Sequence, residues 1–231
     1  MSTSRGCPIR PGEGGDGRTD RESGMTLLEL IVSMGIFLLF VALVLGTTVT
    51  IAKSASRSQL VAESSNTAVT VFGMFDRQTR YADAINFPGA GSGGKRYVEF
   101  RTPADSAASG VTTCVQWRFD PVAGTLASRT WSDLTGTPGT FVIKASNVID
   151  DGTGYPFALT AAVSSTAAVG TGMRMQQLSV AIHIGNAGLD AGALMKTSFS
   201  ARNSSDASPS NAQTAHAGVS DTPVCTAGVR S

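Results

Sequence analysis

This sequence has only two histidines and a net charge close to zero, and both features argue against particular classes of function. The 18 Lys and Arg residues nearly balance the 17 Asp and Glu residues, so the chain as a whole has no excess positive charge to attract nucleic acid. The two histidines, His183 and His216, have no Cys, Asp or Glu at a spacing typical of a metal site. No Gly-x-Ser-x-Gly element occurs, and residues 91–94 (GSGG) lack the flanking strand and helix of a phosphate-binding loop. We therefore predict no catalytic site, no metal and no cofactor.

Proline is absent from residues 23–86, and charge is nearly absent from the first half of that stretch. Residues 25–52 have Glu29 as their one charged residue, and 28 helical residues would span roughly 42 Å, more than the roughly 30 Å of a hydrocarbon core. Apolar side chains lie on every face of this helix, so it predicts a transmembrane segment. A carboxylate at that depth is costly, and Glu29 therefore needs a partner.

The segment 24–29 (GMTLLE), followed by the apolar run, resembles the prepilin-type cleavage and methylation motif of the type IV pilin and pseudopilin superfamily. The resemblance implies that a prepilin peptidase cuts between Gly24 and Met25 and methylates the new amine of Met25. Glu29 then becomes the fifth mature residue. Its implied role is in assembly, where the carboxylate neutralises the N-terminal amine of a neighbouring subunit and fixes the axial register. Gly46 stands where many major pilins have a proline, which favours a minor subunit.

Two other interpretations of the apolar segment stay open, namely a plain signal anchor and a signal peptide cleaved near Ala52 or Ala55. A secretory signal has a shorter apolar region, about 7–15 residues, and rarely begins it with a glutamate. Residues 1–24, the implied leader, are Gly-rich and have no apolar periodicity, so we expect them to be disordered. Because two basic residues lie close to the helix on each side, the cytoplasmic position of the leader rests on the resemblance.

Beyond the membrane segment, residues 53–87 predict a continuation of the same helix, which becomes amphipathic. Apolar residues between Leu60 and Ile85 recur at helical spacing on one face, and proline and glycine stop the helix after residue 86. A separate helix after a short linker at residues 53–56 is the alternative.

Residues 88–201 predict a β-rich head, because hydrophobicity alternates there with a period of two. The alternation is clear at residues 111–119 and 177–184, and residues 120–124 predict a hairpin loop. Such a sheet can face water on one side and pack the amphipathic helix on the other. The predicted fold class is therefore α+β, a long N-terminal helix packed on an antiparallel sheet in a pilin-like arrangement.

The cysteines predict one cross-link in the head. Cys7 lies in the leader, so Cys114 and Cys225 form an even pair in the mature chain, as expected outside the reducing cytoplasm. If Trp117 and its neighbours face the helix, alternation puts Cys114 on the outer face of its strand. Residues 202–231 lack apolar periodicity and predict a flexible tail, which can bring Cys225 to that face. We therefore predict a Cys114–Cys225 disulfide, with two free thiols as the alternative.

The residues and the resemblance together predict a minor pilin or pseudopilin, a structural subunit of a type IV pilus-like or type II secretion-like filament, and not an enzyme. Its expected partners are the prepilin peptidase, other pilin subunits through the N-terminal helix, and the inner-membrane assembly platform. We expect a single pass through the inner membrane, with the head outside the cytoplasm. Residues 115–129 also resemble the paired strands of J-type minor pseudopilins and PilW-like minor pilins.

Three alternatives belong to other functional classes. The first is a membrane-anchored extracytoplasmic binding domain that does not polymerise, and the second is an anchored enzyme. The third is a DNA-uptake pseudopilin, in which three arginines would form a basic patch with three aromatic side chains, namely Arg101, Arg118 and Arg129 with Tyr97, Trp117 and Trp131. Because the chain has no charge excess, nucleic acid is not the expected partner.

Overall fold

The chain divides into two compact units, Met1–Ile51 and Ala52–Ser231, which are described separately. The first unit contains the apolar part of helix α1, and the second contains the rest of α1 and two antiparallel sheets. The computed structural model describes residues 26–134, 136–150, 152, 156–163, 174–211, 224–225 and 227–230.

Helix α1 is a single helix, Leu27–Arg80, with no break at residues 53–56. Its residues in the first unit are mostly apolar and almost all exposed, and the helix is long and apolar enough to cross a membrane. The sequence predicts a helix to residue 87, but α1 ends at Arg80, where the Ala82 N–H donates to the Thr79 carbonyl (3.0 Å). Ile85, which also fits the helical spacing, pairs instead with Phe100 in a sheet. A short apolar segment is compatible with the spacing of a helix and with that of a strand. Here residues 84–85 form a strand because they pair with residues 100–101.

The first sheet is built mainly from hairpins. Its order is β1-β3-β4-β5-β6, all pairs are antiparallel, and β2 also pairs with β3. The predicted hairpin loop connects β4 and β5, where the Asp120 carboxylate accepts from the N–H groups of Val122 and Ala123, and Gly124 has a φ of +58°. The strands are β1 Ala84–Ile85, β2 Gly89–Ala90, β3 Arg96–Thr102, β4 Thr113–Asp120, β5 Thr125–Ser132 and β6 Val142–Ala145.

The second sheet is centred on the long strand β9. Its order is β10-β9-β7, and β8 also pairs with β9. The loop between β9 and β10 is closed by Asn186, whose side chain accepts from the N–H groups of Gly188 and Leu189. The strands are β7 Val148–Ile149, β8 Phe157–Thr160, β9 Gln177–Asn186 and β10 Ala191–Ser200.

The core of the second unit lies between the C-terminal part of α1 and both sheets. Phe75 of the helix is fully buried and stacks on Trp117 of β4, with ring centroids 4.1 Å apart. Its ring also lies 5.9 Å from that of Phe157 in β8 and 6.1 Å from that of Phe199 in β10. Tyr81 fits the helical spacing of the predicted stripe, but it lies just after the end of α1 and is 49% exposed, so the buried stripe differs in part from the predicted one. The buried positions of α1 are Ser64, Ala68, Val71, Phe72, Phe75 and Thr79.

Replacing Phe75 by Ala should destabilise the head by about 3–5 kcal/mol, since it removes a large buried ring that three aromatic side chains contact. Denaturant unfolding of the full chain in detergent, followed by tryptophan fluorescence, measures this change. Val69→Ala is the matched control on the same helix, because Val69 is 61% exposed, and it should change stability by less than about 0.5 kcal/mol. Equal midpoints for the two variants would contradict the packing role of Phe75.

Candidate functional site

The first turn of α1 contains a side-chain cap. The Thr26 hydroxyl accepts from the Glu29 N–H (3.3 Å), and the Thr26 carbonyl accepts from the Leu30 N–H (3.1 Å). Thr26 is therefore the N-cap and Glu29 occupies the third helical position, the spacing of a capping box. A carboxylate in the first turn also interacts favourably with the helix dipole. This local role for Glu29 was missed from the sequence, although the spacing of Thr26 and Glu29 would have shown it.

The Glu29 carboxylate lies among apolar side chains that are open to contact. Leu28 is 71% exposed and Ile31 is 57% exposed. In the part of the chain that the structure describes, no cation pairs with Glu29. The Glu29 carboxylate is therefore available to pair with a cationic group of another molecule. Gly24 and Met25, the predicted processing residues, lie outside the described residues, and their role stays a prediction.

Cys114 and Cys225 are joined by a disulfide, with Cα atoms 6.1 Å apart and a sequence separation of 111. Cys114 lies on the face of β4 that points away from α1, as the alternation with Trp117 predicts. The bridge is buried in a small second cluster with Trp131 and Val224. The cross-link thus fixes the C-terminal segment, described at residues 224–225 and 227–230, to the outer face of the first sheet.

A buried ion pair holds the same segment at a second point. Arg230 donates to both carboxylate oxygens of Glu99, at 2.6 and 3.0 Å, and their side chains are only 4% and 1% exposed. The side-chain amides of Gln116 (2.8 Å) and Asn86 (3.1 Å) also donate to this carboxylate. A charge this buried is tolerated because each of its oxygens accepts more than one hydrogen bond.

Backbone contacts extend the attachment along the segment. The Val224 N–H donates to Asn86 Oδ1 (3.0 Å), and the Val229 carbonyl accepts from the Arg129 guanidinium (3.0 Å). Further upstream, the Ser210 hydroxyl donates to the Ile85 carbonyl, and Asn211 is also buried. The sequence predicts a flexible tail over residues 202–231, whereas the described residues 202–211, 224–225 and 227–230 include several that are fixed against the head. Polar contacts of this kind leave no apolar periodicity by which to predict them.

The basic patch considered for nucleic acid has its three arginines on one face of the first sheet, but Trp117 lies on the opposite face. Arg101 pairs with both carboxylate oxygens of Asp83, an interaction that raises its pKa, and Trp117 is buried against the helix. Arg118 and Arg129 lie on the same outer face as Arg101, and their guanidinium carbons are 4.1 and 4.4 Å from the ring centroid of Phe141.

Two pKa shifts show how far this outer face is withdrawn from water. Burial lowers the pKa of Arg129, an effect that Tyr97 and Glu99 oppose. Burial also raises the pKa of Tyr97, although the Arg118 guanidinium opposes that shift. The outer face is therefore partly closed, and the C-terminal segment covers a part of it.

Metal ligation finds no support in the described residues. No group of three or more His, Cys, Asp or Glu side chains there could hold a metal ion. His183 lies on β9, at a position that alternates with the buried Ile182 and Ile184. His216 lies outside the described residues.

Replacing Arg230 by Met should destabilise the head by about 3–5 kcal/mol, because it leaves the Glu99 carboxylate buried without a counter-charge. Adding Glu99→Gln to this variant should recover a large part of the loss, since the amide removes the buried charge at nearly the same volume. Arg202→Met is the matched control, because Arg202 is exposed. Denaturant midpoints of the four proteins test the pair, and a double variant no more stable than Arg230→Met would exclude charge burial as the cause.

The family model described as a prokaryotic N-terminal methylation motif matches residues 19–45. No curated protein and no solved structure matches the chain significantly. The match supports a protein of the type IV pilin-like family and indicates a prepilin-peptidase substrate of the pilin or pseudopilin type. The motif also implies incorporation with pilin subunits. With the long apolar helix, it indicates a membrane-anchored, single-pass protein.

Proposed function

We propose that the chain is a minor pilin or pseudopilin, a structural subunit of a type IV pilus-like or type II secretion-like filament. The observation that carries this proposal is the match of residues 19–45 to the N-terminal methylation motif at the start of a 54-residue helix. The peptidase cuts between Gly24 and Met25, and the subunit then enters the filament through the apolar part of α1. The head stays outside the cytoplasm.

The surface of the first unit supports this role in assembly. A helix with apolar side chains exposed on all faces requires lipid or other apolar helices around it. The membrane supplies lipid before assembly, and a filament of like subunits supplies apolar helices afterwards. Glu29 is the one charged residue among residues 25–52, so it can mark a single axial position along the helix. An N-terminal amine from a neighbouring subunit matches it in charge and removes the cost of an unpaired carboxylate.

The assignment to a minor subunit rests on two further features. Gly46 occupies the position of a helix-kinking proline in many major pilins, and α1 is continuous there. A methyl group added at Gly46 would meet no atom within 4 Å, so packing within the chain does not require glycine at this position. Residues 115–129, which resemble the paired strands of minor pseudopilins, form the hairpin of β4 and β5.

The alternative is a membrane-anchored binding domain that does not polymerise. N-terminal sequencing of the membrane-associated protein separates the two functions. N-methylated Met25 supports the filament subunit, whereas an intact leader or a cut beyond Ala52 supports an anchored domain or a cleaved signal peptide.

Gly24→Trp should block cleavage, because a bulky side chain prevents the close backbone approach that the peptidase needs at this position. The precursor should then accumulate at its full length on an immunoblot of the membrane fraction. Gly46→Trp introduces the same side chain into an open part of the helix and should still be processed. Mature-sized Gly24→Trp protein would show that the cleavage assignment is wrong.

Glu29→Val should leave a stable, processed membrane protein that does not enter filaments. Glu29→Gln separates charge from capping, since glutamine can serve a capping box but cannot neutralise an amine. We expect incorporation of Glu29→Gln to fall by about 10-fold or more, the size of a lost charge-assisted hydrogen bond. Thr26→Val, which removes the cap and keeps the charge, should still be incorporated. The ratio of variant in sheared filaments to variant in membranes measures this, and normal incorporation of Glu29→Gln would remove the role of the charge.

A further inference from the structure

The face of the first sheet that covers the helix becomes polar at one end. Near the core this face has Phe100 on β3, whereas the strand ends carry Thr102, Thr113 and Thr130. Register shows that they are neighbours, because Thr102 pairs with Thr113 and Thr130 pairs with Val115. Since α1 ends at Arg80, its last turn and residues 106–109 surround these threonines instead of packing on them. They leave a cleft of about 490 Å³.

Several polar groups that line this cleft have no partner in the described part of the chain. These groups are the Arg77 guanidinium, Nε2 of Gln78 and the hydroxyls of Thr102 and Thr130. Gln78 is held in place because its Oε1 accepts from the buried Trp117 indole (2.9 Å). The cleft therefore presents one positive charge and several uncharged hydrogen-bonding groups on a fixed sheet and helix.

The lack of an ion pair distinguishes Arg77 from its neighbours. Arg80, one turn further along α1, pairs with Asp76, and Arg101 of β3 pairs with Asp83. Arg77 is exposed and borders the cleft instead. The charge of Arg77, in the last turn of α1, also interacts favourably with the helix dipole. That interaction leaves all the guanidinium N–H groups available to donate hydrogen bonds to a ligand.

The cleft also has an apolar wall. Tyr81 is 49% exposed, and the buried Val115 contributes from the sheet. An aromatic ring beside hydroxyl and amide groups suits a ligand that alternates C–H and O–H groups on a compact ring. A volume of about 490 Å³ lies within the usual range of small-molecule sites.

We infer that this cleft binds an acidic sugar. Its carboxylate pairs with Arg77, its hydroxyls bond to Thr102, Thr130 and the Gln78 amide, and its apolar ring face lies against Tyr81. A simple carboxylate would use Arg77 alone, and a neutral sugar would use every group except Arg77. The ligand that uses all of them carries both a carboxylate and several hydroxyls. This ligand-binding activity is independent of filament assembly.

Ligand-observed NMR titrations of the full chain test the inference, in a zwitterionic detergent without a sugar headgroup. The probes are D-glucuronate, D-glucose and acetate, which separate the carboxylate from the hydroxyls. We expect glucuronate to bind with a dissociation constant in the low millimolar range, and glucose and acetate each about 10-fold more weakly. Arg77→Gln should reduce the affinity for glucuronate to that for glucose.

Two more variants place the binding at this cleft. Thr130→Trp should abolish binding of both sugars by filling the cleft, and denaturant unfolding checks that the head still folds. Lys196→Gln removes one positive charge at an exposed position of β10, and this variant should bind glucuronate like the unaltered chain. The inference is overturned if glucuronate does not bind, if acetate binds as tightly, if Thr130→Trp binds normally, or if both charge variants lose affinity equally. None of these results depends on cleavage or assembly, so the proposed filament function stands or falls separately.

Discussion

The stacking of Phe75 on Trp117 is the contact on which the head depends. It joins the helix to the first sheet, and the same phenylalanine lies against aromatic rings of the second sheet. Two sheets can share one helix in this way only if each presents an apolar inner face, and the alternation in β4 and β9 supplies it. The Trp117 indole N–H would be left unpaired in such a core, and Gln78 on the helix accepts from it. The contact therefore fixes both the distance and the register of the helix on the sheet.

With the helix on one face, the outer face of the first sheet is closed by different chemistry. The disulfide to Cys225 and the ion pair of Glu99 with Arg230 replace the apolar packing that another helix would provide. A small head has little interior, so cross-links and satisfied buried charges contribute a larger share of its stability than they would in a larger domain. The second sheet needs less cover, because its outer face is polar, as the Ser179–Ser198 hydrogen bond across β9 and β10 shows.

The elements of the fold that leave a repeating hydrophobic pattern in the sequence could be predicted. The unbroken apolar run gives the membrane-length helix, and alternation gives β4, β9 and the position of Cys114. The end of α1 could not be predicted, because Ile85 fits a helix as well as the strand that it forms with Phe100. Arg230 was also missed, since its partner Glu99 is 131 residues away and a single ion pair has no periodic pattern. The cleft beside Arg77 escaped prediction for a related reason, because its threonines come from three strands that only the fold brings together.

The long separation between Cys114 and Cys225 bears on the order in which the head folds. The hairpins of β3, β4 and β5 join residues that are close in sequence, so their ladders can form early. The disulfide closes across 111 residues and requires both an oxidising compartment and a completed outer face. The bridge therefore ties together parts of the head that the local hairpin ladders do not connect, and its formation depends on the redox state of the compartment in which the head folds.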